Sequence, residues 1–389
     1  MKPDYLARAF DLKQQLVVWR REFHQYPELG FKEIRTAARI ADELKDFGFH
    51  VRTGIGDTGV VGEIGAGKPI VAIRADMDAL PITETNPIPY RSTIPGRMHA
   101  CGHDAHIAIA LGVAKLLARE KIDGVIRFLF QPAEEITGKD GLSGAPHMIA
   151  DGAMEGVEAI FALHVDPSLR TGDIGLISGI ASAGVDTFYA TIKGFGGHGA
   201  MPHKTIDPIL LSGHVILAIH SIVSRRIYPF APAVISIGSI HGGEADSVIP
   251  EAVEIKGTIR YIDSSVQESL HKELERALSV CRALGGGFDL RVETGYPPVY
   301  NDPAMIDHIK RVAIELLGEE HVRRQQIQMG AEDFSFLVAQ APGAIISLGC
   351  KIDADERKLH SSDFDIDENC LPIGTALLVS AVLNYLHNR

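Results

Sequence analysis

Apolar residues recur along the first part of the chain with two alternating periods. Helical spacing occurs over residues 33–47 and 106–118, and short apolar runs typical of buried strands occur over residues 60–64, 70–74, 125–130 and 159–165. Helices that alternate with buried strands are typical of a sheet covered by helices. The pattern therefore predicts a mixed α/β sheet with helices on both faces.

The pattern changes over the middle of the chain. Strand-like segments at residues 185–193, 233–240, 252–261 and 287–293 alternate with helical segments at residues 207–226 and 265–284, in the order β-α-β-β-α-β. This is the order of the ferredoxin-like unit, which folds as a small two-layer domain. Helical and strand patterns resume at residues 304–317, 344–349 and 371–387. We therefore expect a discontinuous domain of residues 1–183 and 297–389, interrupted by an inserted domain of residues 184–296.

Length and composition agree with a folded protein of two domains. The chain has 389 residues, of which 46% are hydrophobic and 23% are charged. Its net charge of -12 at pH 7 argues against a nucleic-acid-binding surface, which needs clustered Lys and Arg. No nucleic-acid partner is expected.

The sequence also argues against a membrane protein and a disulfide-rich one. No apolar stretch approaches the roughly 18 residues needed to cross a bilayer, and the N-terminal residues lack the apolar core of a signal peptide. The four cysteines, Cys101, Cys281, Cys350 and Cys370, are widely spaced. Reduced thiols and a cytoplasmic location are expected.

Two carboxylates follow the strand at residues 70–74. Asp76 and Asp78 lie where this strand ends, and the carboxyl ends of strands are where open α/β sheets bind ligands. Either aspartate alone is equally typical of a turn.

A dense polar cluster lies just before the helix at residues 106–118. Residues 99–106 contain three imidazoles, one thiol and one carboxylate, and such groups are costly to bury without a metal or hydrogen-bond partners. Thiolate and imidazole, here from Cys101 and His103, suit zinc and neighbouring transition metals. A nucleophilic Cys101 activated by His103 is a weaker alternative, because residues two apart seldom reach the required geometry.

Further candidate groups follow later strands. Glu134 and Glu135 come directly after residues 125–130, and two adjacent carboxylates repel each other unless cations neutralise them. In hydrolytic metal sites one carboxylate can bind the metal while another accepts a proton from water. His164 and His360 are isolated, and the ordinary interpretation of each is a core or surface histidine.

Taken together, the motifs resemble a known family. RADMDALP, MHACGHDAH, QPAEE, ALHVDP, GGHGAMPH, HGGEADSVIP, GTIRYID, MGAEDFSF and LHSSDFDID occur in this order across nearly the whole chain. They resemble the M20 family of metallopeptidases, and most closely its amidohydrolase branch of hippurate hydrolases, auxin-conjugate hydrolases and N-acyl amino acid deacylases. The joint occurrence of CGHD, PAEE and LHS is the most specific element.

The resemblance implies a two-metal site. The implied metal ligands are Cys101, His103, Glu135, His164 and His360. Glu134 would be the general base, and Asp78 would orient a ligand from outside the coordination sphere. Asp76 stands where peptidase branches carry a metal-binding histidine, which favours the amidohydrolase branch. Zinc is the first choice for such a thiolate site, with manganese, cobalt and nickel as alternatives.

The resemblance also assigns roles within the inserted domain. His198 would cross a dimer interface to stabilise the developing oxyanion, and Arg260 would pair with the substrate carboxylate. A turn histidine and a surface ion pair are the alternatives from chemistry alone. Ser247 departs from the family pattern, which has Asn before Val-Ile-Pro, so a substrate contact there is shorter or missing. The inserted domain would act as a lid and join two subunits.

We therefore expect a metal-dependent hydrolase that cleaves the amide bond of N-acyl amino acids. A dipeptidase or aminopeptidase of the same family is the main alternative. A non-catalytic binding module and a redox-sensing role for Cys101 are alternatives from other classes.

Overall fold

The structure, a computed structural model, describes residues 4–352 and 357–387. They divide into two compact units. The larger comprises Met1–Ala181, Tyr300–Gln326 and Asp333–Arg389, and the smaller comprises Ser182–Val299 and Ile327–Glu332. The divisions predicted from the sequence lie after residues 183 and 296, and the short segment Ile327–Glu332 was not predicted to belong to the smaller unit.

The first part of the larger unit follows the predicted alternation. Its elements are α1 (Tyr5–Asp11), α2 (Lys13–Gln25), α3 (Ile34–Asp46), β1 (His50–Ile55), β2 (Gly59–Ala66), β3 (Ile70–Asp76), α4 (His103–Leu117), β4 (Gly124–Gln131), α5 (Gly144–Ala150), β5 (Val157–Arg170), β6 (Ile174–Leu176) and β7 (Gly179–Ile180). Helix α4 begins three residues before the predicted helix, so His103 lies in its first turn.

The smaller unit has the predicted β-α-β-β-α-β order. Its elements are β8 (Gly184–Lys193), β9 (Gly197–His198), α6 (Pro208–Arg226), β10 (Ala233–His241), β11 (Val248–Ile249), β12 (Ala252–Tyr261), α7 (Ser264–Leu278), α8 (Val280–Ala283) and β13 (Gly287–Thr294). Strands β10, β12, β8 and β13 form an antiparallel sheet in that order. Alternate residues of β8 and β12 are buried with α6 and α7 in one apolar core, as the two-residue strand period requires.

The C-terminal part completes the larger unit. It contains β14 (Tyr300–Asn301), α9 (Pro303–Leu317), β15 (Val322–Arg324), α10 (Phe334–Val338), β16 (Gly343–Lys351) and α11 (Cys370–His387). The main sheet has the order β1-β2-β4-β3-β5-β16-β6-β15. Its central strands β4, β3, β5 and β16 are mutually parallel and its outer pairs include antiparallel ones, which confirms a mixed sheet.

Two helices are long and apolar enough to meet the length and composition criteria for a membrane span, contrary to the sequence expectation. In the sequence, small and polar residues interrupt the apolar runs at residues 208–226 and 371–387, so neither was predicted as a span. Helix α11 is 83% buried over its most apolar window, where it packs against α4 in the core of the larger unit. Helix α6 is only 33% buried and carries exposed Leu210 and Leu217.

Candidate metal centre

The parallel strands bring the polar segments to one edge of the main sheet. Asp76 at the end of β3 pairs with Gln131 at the end of β4, so the segments that carry Asp78 and Glu134 leave the sheet side by side. Strand β5 is parallel to β3, and His164 lies two residues beyond the last pair, Arg74 with Ala162.

The expectation that the strand carrying His164 ends at residue 165 is wrong. Strand β5 continues to Arg170 because β16 keeps pairing with it after β3 has ended. His164 therefore projects from a paired strand and not from a loop. Its Nδ1 donates to the carbonyl oxygen of Val165 at 2.8 Å, which leaves Nε2 directed away from that carbonyl.

His103 is oriented by Asp78. Gly102 has a φ of 89°, which glycine adopts readily, and the chain turns there into α4. His103 Nδ1 lies 2.9 Å from the Asp78 carbonyl oxygen and 3.2 Å from Asp78 Oδ1. Its Nε2 is buried and has no hydrogen-bond partner among the described residues. A metal ion would satisfy such a nitrogen, and a carboxylate on the opposite nitrogen is the usual support of a metal-binding histidine.

The other donors lie around His103. Cys101 Sγ is 3.4 Å from His164 Nε2, and Glu135 Oε1 is 3.0 Å from His360 Nε2 and 4.0 Å from His103 Nε2. Two overlapping groups result, Cys101 with His103 and His164, and Cys101 with Glu135 and His360; within each group the donor atoms lie within 4.8 Å of one another. The structure thus brings all five sequence-predicted ligands together, in two sets that share a thiol.

His360 reaches this cluster through backbone contacts. Its N–H donates to the Ala100 carbonyl oxygen at 2.8 Å, and its φ of 63° lies in the left-handed region. Downstream, Thr85 N donates to the Ser362 carbonyl oxygen and Asn86 Nδ2 donates to that of Phe364. These bonds hold the late loop against residues that lie far away in sequence.

The electrostatics of the cluster favour a cation. Burial alone would lower the pKa of His103, but Asp76, Asp78 and Glu135 raise it to about 10. Burial raises the pKa of the Cys101 thiol, and nearby Glu135 and Glu134 raise it further. Carboxylates thus lie beside a buried thiol, and a nearby cation would favour ionisation of that thiol. The donor set fits divalent metal ions.

Glu134 lies in the same cluster. It is 8% exposed, and it forms with His103 and Glu135 a third group of donor atoms within 4.8 Å. The peptide N–H of Glu135 donates to Asp78 Oδ2 at 3.0 Å. Asp78 therefore contacts both His103 and the segment that carries the two glutamates.

Two other histidines of the 99–106 cluster do not extend this donor set. His106 Nδ1 donates to Asp76 Oδ1 at 2.6 Å and His106 Nε2 accepts from Val165 N at 3.0 Å, so both ring nitrogens are used. Burial lowers the pKa of His106 to about 4, which keeps the ring neutral. Burial likewise lowers the pKa of His99 to about 3, and neither of its ring nitrogens has a partner among the described residues. Nothing in the structure explains this histidine.

Sequence reasoning missed a buried ion network beside the site. Arg20 of α2 is fully buried and binds Asp104 at 2.8 Å and Asp365 at 2.6 Å. Asp104 also accepts a bond from His24, 2.8 Å away, and it follows His103 directly. The available signal was that Arg20 and His24 lie on the apolar stripe of a helix, where charged groups need partners.

The three remaining predicted site residues lie in the smaller unit. Strands β9 and β11 pair as a short antiparallel ribbon, here called the β9–β11 ribbon, in which His198 pairs with Val248. Ser247 directly precedes β11, and its carbonyl oxygen accepts from Gly199 N at 2.8 Å. Both side chains are exposed. Arg260 lies near the opposite end of β12, about 27 Å along the strand from Ala252, where the ribbon joins the sheet. One copy of the unit does not bring Arg260 beside His198.

Arg260 is the remaining predicted substrate-binding residue. It is half-buried on the sheet face opposite the helices, and burial lowers the pKa of its guanidinium. It forms no ion pair with any residue in the described part of the chain. In the described structure its guanidinium makes a long hydrogen bond, 3.4 Å, to the Ile259 carbonyl oxygen.

Comparison with known proteins places the chain among metal-dependent hydrolases. The family model for peptidase family M20/M25/M40 matches residues 72–384. The chain is 39% identical to thermostable carboxypeptidase 1 of Saccharolobus solfataricus, over 94% of this chain and 93% of the relative. It is 38% identical to the IAA-amino acid hydrolase ILR1-like 4 of Arabidopsis thaliana, over 98% and 88%. It is also 38% identical to the N-acetyl-L-cysteine deacetylase of Bacillus subtilis, over 92% and 85%.

A solved structure agrees with these relatives. The Bacillus subtilis YXEP protein, described as a dinuclear metal-binding peptidase from the M20 family, superposes with a TM-score of 0.83 at 30% identity, and the match covers 97% of this chain and 99% of that one. The chain therefore belongs to peptidase family M20/M25/M40, in its amidohydrolase branch, and is a metal-dependent enzyme that hydrolyses linear amides.

Proposed function

We propose that this enzyme hydrolyses the amide bond of N-acyl amino acids, with acetyl, benzoyl or aryl-acetyl groups, and releases a carboxylic acid and a free amino acid. The observation that carries the proposal is the cluster of five donors around His103 with a second carboxylate, Glu134, in the same group. The names of the relatives support an acyl amino acid as substrate.

Cys101, His103, Glu135, His164 and His360 would hold two divalent ions. Zinc is the metal we expect because thiolate is a soft ligand, and manganese, cobalt and nickel are the alternatives. Bound metal ions would polarise the substrate carbonyl and lower the pKa of bound water toward about 7.

Glu134 is the proton carrier in this proposal. Its carboxylate accepts a proton from the attacking water and donates it to the leaving amine nitrogen. Asp78 holds His103 and the peptide of Glu135 in place, so the donors do not have to reorganise when substrate binds.

His198 and Arg260 would bind the substrate. His198 would donate a hydrogen bond to the developing oxyanion, and its Nδ1 already accepts from Ala200 N at 3.0 Å, which fixes the proton on Nε2. Arg260 would bind the carboxylate of the amino acid. The substrate contact expected at Ser247 would be shorter than that of an asparagine.

The separation of these two residues supports a homodimer. Arg260 and the ribbon that carries His198 are at opposite ends of β12, further apart than the length of one acyl amino acid, so a single substrate that meets both needs two copies of the chain. The exposed surface of the smaller unit also supports a dimer. Strand β10 is an edge of its sheet, and the adjoining helix α6 exposes Leu210 (61%) and Leu217 (72%).

The carboxypeptidase relative favours a second candidate, hydrolysis of dipeptides or other short peptides. Both reactions release a free amino acid from an amide, and the same metal centre serves both. A cytoplasmic location is part of the proposal, since all four cysteines are free thiols.

A substrate panel on metal-quantified protein tests the proposal. N-acetyl, N-benzoyl and indoleacetyl amino acids are compared with dipeptides by kcat/KM, before and after metal is removed with a chelator and restored. Faster turnover of acyl amino acids supports the proposal. Preference for dipeptides selects the second candidate, and stoichiometric metal without any hydrolysis contradicts both.

A further inference from the structure

A turn before α3 contacts the two segments that carry the acidic groups of the metal centre. The carbonyl oxygen of Glu28 accepts from Ala79 N at 2.8 Å, next to Asp78. The Glu33 carboxylate accepts from Ala133 N at 2.8 Å, next to Glu134. This turn, residues 28–33, contributes no atom to the donor cluster.

Glu33 is unusual for a residue that serves stability alone. It is fully buried, and in the described structure its carboxylate accepts hydrogen bonds from two neutral donors, Ala133 N at 2.8 Å and the Thr58 hydroxyl at 2.5 Å. Burial raises the pKa of Glu33 to about 7. A buried carboxyl costs free energy when, as here, the described residues give it no cationic partner, so its presence indicates another use.

Ala133 needs to be held by its neighbours. Its φ of 46° is uncommon for a residue with a side chain, and such conformations persist where the surroundings impose them. Glu33 binds its N–H, and its carbonyl oxygen accepts from Gly144 N at 3.0 Å. Gly30 packs so closely that an added Cβ would lie 3.0 Å from Ala133 Cα.

We propose that Glu33 is a positioning residue that fixes the Ala133 peptide and thereby directs the side chains of Glu134 and Glu135 into the metal centre. Because Glu134 and Glu135 directly follow Ala133, rotation of that peptide would swing both carboxylates together. This inference rests on the proposed roles of Glu135 as ligand and Glu134 as base.

The test compares Glu33→Leu and Glu33→Gln in the full-length, zinc-loaded enzyme. Leu removes the acceptor, so kcat falls by about 10- to 100-fold with KM within about twofold, because small misplacements of reacting groups have effects of this order. Zinc retention against a competing chelator weakens by about tenfold, as it does when ligand supports are removed. Gln keeps an oxygen for Ala133 N and restores both properties.

Glu28→Ala is the matched control. The Glu28 carboxylate lies in the same turn but binds Arg35 N and Thr36 N at the start of α3, and its contact with Ala79 is made by backbone and survives. We expect a lower Tm with unchanged kcat and zinc retention. If Glu28→Ala loses as much activity as Glu33→Leu at the same loss of Tm, Glu33 is merely structural and the proposal is overturned.

A second variant tests the proposal if Glu33→Leu does not fold. Ala133→Gly leaves the buried carboxyl in place but frees the peptide to rotate, and we expect both readouts to move in the same direction by a smaller factor. If neither kcat nor zinc retention changes, the proposal is overturned. Zinc competition needs no turnover, so it distinguishes a failure of the proposed role of Glu134 from a failure of the proposed role of Glu33. If Glu134 is not the base, Glu33→Leu still weakens zinc binding. If Glu33 does not position this peptide, zinc binding is unchanged while Glu134→Gln is inactive.

Discussion

The metal centre and the β9–β11 ribbon are two regions with candidate catalytic histidines, and they are built in opposite ways. His103 is 1% exposed and is tied to Asp78 through Nδ1. His198 is exposed, is flanked by glycines, and bonds only to the neighbouring backbone in the described structure. The first region has its geometry within one folded unit. We propose that the histidine of the second region gains its catalytic contacts only when substrate or another chain binds beside it.

The difference fits two separate tasks, binding of the metal ions in the first region and recognition of the substrate in the second. Groups that must neutralise one another, such as carboxylates and metal ions, have to be held rigidly in a buried site. Groups that recognise the substrate have to remain accessible for it to enter and leave. Substitutions in the first region should therefore change metal binding or the chemical step, and substitutions in the second should leave metal binding intact.

The largest expected effect is that of Glu134→Gln. The variant keeps the size of the side chain but cannot accept a proton, so kcat should fall about 1,000-fold, within the usual range for a general base. Metal content measured by elemental analysis should stay at the level of the parent enzyme. Normal turnover by a folded, metal-loaded variant would rule out Glu134 as the base.

His198→Ala tests the exposed region. We expect kcat to fall about 100-fold, as for loss of one oxyanion donor, with unchanged metal content. Mixing this variant with Glu134→Gln should restore activity if His198 acts in trans, because one site of each mixed dimer then has both groups. Each variant alone serves as the control. A mixture as inactive as its components, although the subunits exchange, would place His198 in its own subunit's site or outside catalysis.

Asp78→Ala separates orientation from coordination. The variant removes Oδ1, which lies near His103 Nδ1, and Oδ2, which accepts from Glu135 N, while all five proposed ligands remain. Metal affinity should fall between about 10- and 100-fold. Competition with a chelator measures this, and Glu28→Ala is the control for lost stability. An unchanged affinity would show that the ligands are held without Asp78.

A prediction of a different kind concerns the pH dependence of stability. Burial raises the pKa of Glu33 from 4.5 to about 7, so the folded chain holds this proton more tightly than the unfolded chain. Its stabilising contribution is complete below pH 4.5 and is lost as the pH rises to about 7. Glu33→Gln removes this titration, so its stability relative to the parent should rise by about 1.4 kcal/mol per pH unit across that window. Urea unfolding of the metal-free pair measures it, and a difference independent of pH would contradict this environment for Glu33.

Most secondary structure could be predicted from the sequence because the spacing of apolar residues marks the buried face of each helix or strand. The α/β alternation, the β-α-β-β-α-β order and α9 are within a few residues of the pattern. The errors arise where contacts with other parts of the chain decide where a strand or helix ends. Strand β5 runs past His164 because β16 continues beside it, and the predicted helix 265–284 is divided at Ser279 into α7 and α8.

The sequence by itself determined which residues are candidates to carry chemistry. Cys101, His103, Glu134 and Glu135 stand out locally because thiol, imidazole and carboxylate groups are costly to bury without partners. Only the tertiary structure decided which of them meet. It places His360 against Ala100, commits His106 to Asp76 and Val165, and separates Arg260 from His198 along one strand. Distances between segments far apart in sequence depend on strand order and register, which local patterns do not encode.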